Sequence, residues 1–184
     1  MSPLIIFFCA SLLTFSVAST TIQNAPSSSS SPSSKPQPEY EVFVIFSGED
    51  TGNTFTDHLY HALHEKRIIT FKGNKDLKME DPISAEILEA IEKSRKAVII
   101  LSKNYASSTR CLEELAKIVE CRKGGLTVLP IFYHVEPDDV WYQSGTFEAA
   151  FAEHEKRFEE NTVQKWRAAL TEVANLCGKH IKDG

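Results

Sequence analysis

From Glu39 onward, continuous apolar runs alternate with stretches in which apolar residues recur at helical spacing. YEVFVIF (Tyr40–Phe46) is rich in β-branched and aromatic residues, as expected of a strand buried on both faces. Phe55, Leu59, Ala62 and Leu63 then mark one face of a helix, and IITF (Ile68–Phe71) reads as a short strand. A polar loop, KGNKDLKME, leads to a helix with Asp81 as N-cap, Pro82 at its first position, and an inward stripe of Ile83, Ile87, Leu88 and Ile91. KAVIILS (Lys96–Ser102) is a third strand. CLEELAKIVECR is the helix after it, with Leu112, Leu115, Ile118 and Val119 inward. LTVLPIFY (Leu126–Tyr133) is a fourth strand, whose Pro130 lacks a ladder donor and places it near a sheet edge. Asp138 and Asp139 after Pro137 open a short helix. Two amphipathic helices close the pattern, lined by Phe147, Ala150, Phe151, His154 and Phe158, and by Val163, Trp166, Leu170, Val173 and Leu176.

This alternation predicts an α/β domain, a mostly parallel sheet with helices on both faces. Ligands of such sheets gather beyond the carboxyl ends of the strands, where strand order reverses. The loops after Phe46, Phe71, Leu101 and Tyr133 therefore surround one crevice, and the pair Glu113–Glu114 starts the helix that faces it.

The first 38 residues have another texture. LIIFFCASLLTFSVA (Leu4–Ala18) is apolar and uncharged, short for a membrane span of roughly 20 residues but suited to the apolar part of a signal peptide. No Lys or Arg precedes it, so a cleaved signal, an uncleaved anchor and neither all stay open. The Ser/Pro-rich stretch that follows cannot bury a core and reads as a disordered linker. The organisation expected is 1–24 signal-like or anchor-like, 25–38 linker, 39–184 folded domain.

Composition narrows the function. The 184 residues are 42% hydrophobic and 24% charged, with a formal charge of -5. Only one charged residue, Lys35, lies before Glu39, so the negative charge belongs to the domain, which argues against non-specific nucleic-acid binding. Cys9, Cys111, Cys121 and Cys177 show no zinc-ligand spacing and no disulfide framework, so reduced thiols and a cytoplasmic location are expected, with membrane association through residues 4–18 as the alternative. There is no GxGxxG, P-loop or GxSxG. His58, His61 and His64 fall three apart without an acidic or cysteine companion, which reads as a solvated flank, and no metal is expected. Cys111 near a helix start is either a reactive thiol or a buried structural one. The pair Trp141–Tyr142 is either a partner surface or core.

Four segments in correct order, YEVFVIFSGEDTGNTFTDHLYHAL, SKNYASSTRCLEELAKIVEC, VLPIFYHVEPDDV and TFEAAFAEHE, resemble the plant-type TIR (Toll/interleukin-1 receptor) domain from about Tyr40 to Gly184. The resemblance implies a flavodoxin-like fold, here without the family's last helix, since NLCGKHIKDG matches only the entry to its last strand. It implies a TIR-only chain, or a fragment of a longer one, that acts in immune signalling through contacts with other TIR-domain proteins, homo- or hetero-oligomeric, with Asp57 and His58 at the first-helix position of one self-association surface. It also implies cleavage of NAD, as substrate rather than cofactor, at the nicotinamide–ribose bond. The catalytic acid of the family's C-L-x-E-L motif is Glu114 here. Substrate-binding positions carried over are Ser108, Arg110, Ile45, Ser47, Gly48, Lys75 and Met79, although the local reading of Ser108 is a helix N-cap without catalysis.

The chemistry suits that assignment. Loss of nicotinamide leaves an oxocarbenium-like ribose, which a carboxylate stabilises. On a helical wheel Glu113 points away from the apolar stripe, toward the surface, and Glu114 sits at its margin; a first-turn position favours the ionised form. Around it the chain departs from the family: Ile45 replaces a serine, Ser47, Gly52 and Met79 replace arginines, Glu80 replaces a glycine, and Arg110 replaces a tryptophan. Each lost charge-assisted contact costs on the order of 1.5–3 kcal/mol, part of which Arg110 can recover by pairing with phosphate or stacking on a base. The alternative is a non-catalytic TIR that acts as adaptor or decoy by TIR–TIR binding alone.

Overall fold

The computed structural model describes residues 38–51, 55–72 and 83–182. Their elements run β1 (Tyr40–Phe46), α1 (Gly48–Thr51), α2 (Phe55–Glu65), β2 (Thr70–Lys72), α3 (Ala85–Glu92) and β3 (Ser94–Leu101). A 3-10 turn (Tyr105–Ser107) follows, then α4 (Thr109–Arg122), β4 (Thr127–Tyr133), α5 (Pro137–Tyr142), α6 (Thr146–His154), α7 (Glu160–Ala174) and β5 (Lys179–Ile181). All four strand pairings are parallel and the order is β2-β1-β3-β4-β5, so the carboxyl ends share one edge and the order reverses between β1 and β3. This is the flavodoxin-like α/β architecture.

Alternate residues of the strands feed two cores. Phe43, Ile45, Ile99, Leu101 and Phe132 meet α3, α4, α6 and α7 on one face, where Trp166, Phe147 and Phe151 are buried. Val42, Val44, Val98, Ile100 and Ile131 meet Leu59, Ala62 and Leu63 of α2 on the other. On that second face Leu129, Tyr133 and Ile181 are only partly buried. Pro130 sits beside the edge strand but outside its ladder, which pairs from Ile131 onward. Gly178 permits this approach: a Cβ there would come within 2.7 Å of the Pro130 carbonyl and of the Phe132 ring.

Two boundaries differ from the sequence expectation. The second strand begins at Thr70, not Ile68, because α2 ends in a Schellman motif. Arg67 takes φ 57°, its N–H bonds the His64 carbonyl at 2.9 Å, and Ile68 N–H bonds the Leu63 carbonyl at 3.0 Å. Ile68 is thereby folded into the core, while Ile69 is 58% exposed. Helix α3 is capped by Ser84, whose Oγ accepts from Ile87 N–H at 3.3 Å, rather than by Asp81. Asp81 and Pro82 lie outside the described residues. Among the described residues no helix is long and apolar enough to cross a membrane, and the segment 4–18 lies outside them.

Candidate functional site

The reversal of strand order leaves a crevice between the segments that follow β1 and β3. The β1 side is a single helical turn. Ser47 accepts at its carbonyl from Thr51 Oγ1 (3.1 Å), and Thr51 in turn accepts from Thr56 Oγ1 (2.9 Å). Asp50 fastens this turn to the β3 side: its carboxylate accepts from Asn104 N–H at 2.6 Å and from Asn104 Nδ2 at 2.8 Å. No motif argument singled out this bridge. Asp50 lies within the SGEDTG stretch of the first family-like segment, which carried no expectation for its side chain.

On the β3 side the chain makes a 3-10 turn and enters α4. Ser108 caps the helix, its Oγ accepting from Cys111 N–H at 3.2 Å, as its residue type predicted. The turn is pinned twice. Tyr105, fully buried, donates its hydroxyl to the Cys111 carbonyl at 3.3 Å, and His154 Nε2 lies 2.8 Å from the Ala106 carbonyl. Cys111 itself donates Sγ–H to the Phe46 carbonyl at 3.5 Å, tying α4 to the end of β1. Burial pushes its thiol up to about 12, so Cys111 is structural rather than reactive.

Glu114 follows on the same helix and is 6% exposed. Because α4 starts at Thr109, Glu114 stands in the second turn, not the first, and the helix terminus does not dominate its ionisation. Burial raises its carboxyl from 4.5 to about 7; Arg110 opposes the shift and Glu113 adds to it. The expectation of a readily ionised group is therefore corrected: this carboxyl is poised near neutrality. Burial chiefly, and then the charges of Glu114 and Asp57, push the Tyr60 hydroxyl on α2 well above its usual range.

Arg110 lies one turn before Glu114, with Nε 3.4 Å from Glu114 Oε1 and the two side chains 15% and 7% exposed. The contact is an ion pair without hydrogen-bond geometry, and the buried Nε and Nη1 atoms have no hydrogen-bond partner among the described residues. Glu113 is half-buried rather than a free surface residue: its Oε2 accepts from Ile83 N–H at 3.4 Å and holds the entry to α3.

The other carried-over positions divide. Ser47 is 2% exposed, at the crevice end of β1, and its Oγ has no partner among the described residues. Gly48 is exposed, and a Cβ there would meet nothing within 4 Å, so it leaves the rim open. Ile45 is 2% exposed and packs into the larger core, so its side chain is a packing residue. Lys75 and Met79 lie outside the described residues, as do Gly52 and Glu80. Asp57 and His58 are exposed on α2, away from the pair, and Asp57 borders a groove of about 900 Å³ between α2 and β2 with His61, His64 and Arg67. His61 pairs with Glu65 at 3.3 Å. Trp141 is half-buried and Tyr142 is 74% exposed, so the aromatic pair is split between packing and surface.

Comparison with known proteins agrees with this architecture. The family model described as "TIR domain" matches residues 39–184. Disease resistance protein RPV1 of Vitis rotundifolia is 49% identical over 168 residues, 91% of this chain and 12% of the relative. TMV resistance protein N of Nicotiana glutinosa is 46% identical over 151 residues, 80% of this chain and 13% of the relative. The chain thus spans about an eighth of the length of these relatives. Among solved structures, the TIR domains of the activated Roq1 resistosome directly recognizing the pathogen effector XopQ superpose with a TM-score of 0.72 at 48% identity, over 77% of this chain and 87% of that one. With a parallel sheet reversing between β1 and β3, and relatives of this identity, the chain belongs to the TIR-domain family, in the form found in plant disease-resistance proteins.

Proposed function

We propose that this domain signals in plant immunity by assembling with other TIR domains and cleaving NAD at the nicotinamide–ribose bond, with Glu114 as the active carboxylate. The observation that carries the reading is a carboxyl group poised at about 7, buried at the carboxyl edge of the sheet where strand order reverses. In that reading the ionised carboxylate faces the ribose and stabilises the positive charge that develops as nicotinamide leaves. Water or a second acceptor then takes the ribosyl carbon. The Asp50–Asn104 bridge and the Ser108 cap hold the two walls at a fixed separation, so that the charge is already in place when the bond breaks. Assembly is supported by the Roq1 relative, whose TIR domains belong to a resistosome. Cytoplasmic NAD is the expected substrate pool.

A second reading has one observation in its favour. Arg110 lies against Glu114, so the same chain also suits an adaptor or decoy that binds TIR domains without catalysis. The test is nicotinamide release by the full chain over a rising protein concentration, with sedimentation followed in parallel. Release that climbs with self-association supports the enzyme; self-association with background release leaves the adaptor.

A further inference from the structure

In this chain the carboxylate assigned to catalysis is not free: Arg110, on the turn before it, sits 3.4 Å away, and both are largely buried. Two facts about the guanidinium bear on what it does. Its Nε and Nη1 atoms are shielded from water, yet neither makes a hydrogen bond among the described residues, so two strong donors are left unsatisfied by them. A buried donor left in this way costs free energy that an incoming acceptor recovers, and a guanidinium fork matches phosphate oxygens in pairs. Arg110 is the cation that pairs with Glu114 among the described residues, so an anionic ligand that reaches its guanidinium competes with this carboxylate for it.

We propose that Arg110 is a specificity-determining gate: it rests against Glu114 in the empty site and transfers to the phosphates of an incoming pyrophosphate-bearing nucleotide, uncovering the carboxylate. The proposal rests on the catalytic reading of Glu114 and adds the residue that discriminates between ligands at that site. A ligand without phosphate has nothing to draw Arg110 away, so it leaves the carboxylate covered. A pyrophosphate gives the fork two or more charge-assisted bonds in exchange for an ion pair that lacks hydrogen-bond geometry. The exchange conserves charge and breaks no covalent bond.

A double-mutant cycle on the full chain tests this by binding, not turnover, with inorganic pyrophosphate as the probe in calorimetry. Wild type, Glu114→Gln, Arg110→Gln and the double variant are compared at one salt concentration, after each is shown to unfold cooperatively; Arg110→Met, of similar length and uncharged, replaces Arg110→Gln should the latter not fold. Glu114→Gln frees the guanidinium and strengthens binding on the order of tenfold, and that gain disappears when Arg110 is replaced. A gain of equal size in both backgrounds is a mere field effect of the lost charge and overturns the gate. So does the absence of any gain, or of pyrophosphate binding by wild type and Glu114→Gln alike. Nicotinamide release, measured separately, reports on the enzymatic reading: a protein that passes the cycle and releases none keeps the gate and loses the catalysis.

Discussion

Glu114→Gln is predicted to stabilise the domain at alkaline pH and to leave it unchanged at acid pH. The folded protein raises this carboxyl from 4.5 to about 7, chiefly by burial, so between those limits the native state holds a proton that the unfolded chain has lost. The sign follows from that difference. Native binding exceeds unfolded binding, so stability falls as pH rises through this window, is highest below it, and is constantly lower above about 7. At about 1.4 kcal/mol per unit, the ionised carboxylate costs the fold on the order of 3 kcal/mol above the window. Glutamine resembles the protonated acid in shape and charge and does not titrate, so the variant keeps the acid-side stability throughout. For a domain of this size the gap corresponds to roughly 6–12 °C in Tm. Urea unfolding of both proteins at about pH 5 and about pH 8.5 gives the two differences, and subtraction removes every other titrating group. A difference between wild type and variant that is the same at both pH values would refute the assignment of a burial-raised carboxyl at Glu114.

Four further outcomes follow from the same geometry. If the ionised carboxylate is the working form, kcat/KM for NAD cleavage falls about tenfold per pH unit below about 7 and levels off above it; a flat kcat/KM–pH profile contradicts it. Asp50→Ala removes two short bonds to Asn104 and costs about 1.5–3 kcal/mol in urea unfolding, with a loss of catalysis larger than the loss of stability because the crevice walls separate. Gly178→Ala forces a Cβ against Pro130 and Phe132, destabilises the fold by about 1–3 kcal/mol, and exposes the amides of β5 to hydrogen exchange. His58→Ala, on the exposed face of α2, weakens self-association in sedimentation while leaving monomer Tm within about 2 °C.

The strands were legible because each of the long ones is an apolar run, and the helices because their stripes hold one spacing. Ser108 was legible as a cap for the same local reason. Where the sequence misled, long-range packing was at work. The expected cap Asp81 and the cap the helix uses, Ser84, stand three residues apart, and local residue type alone does not separate them. Ile68 looked like strand because it is apolar, but its burial belongs to the turn that ends α2. Glu113 points away from the stripe of its own helix, yet α3 packs alongside and brings Ile83 N–H to its carboxylate. Most consequentially, helix position suggested an ionised Glu114. Its burial depends on the elements that close around it, and desolvation outweighs the opposing charge of Arg110. Ile45 was carried over by alignment to a motif, whereas strand alternation turns its side chain into the core.

The adjacent glutamates offer the most direct test of whether Glu114 does chemistry. Nicotinamide release from NAD is followed for the wild-type full chain, Glu113→Gln and Glu114→Gln, each confirmed to fold and to self-associate. Catalysis by Glu114 predicts release that survives in Glu113→Gln, reduced only as far as the loosened entry to α3 disturbs the site, and falls to background in Glu114→Gln despite its greater stability at alkaline pH. Release that persists in Glu114→Gln at the wild-type rate would contradict it.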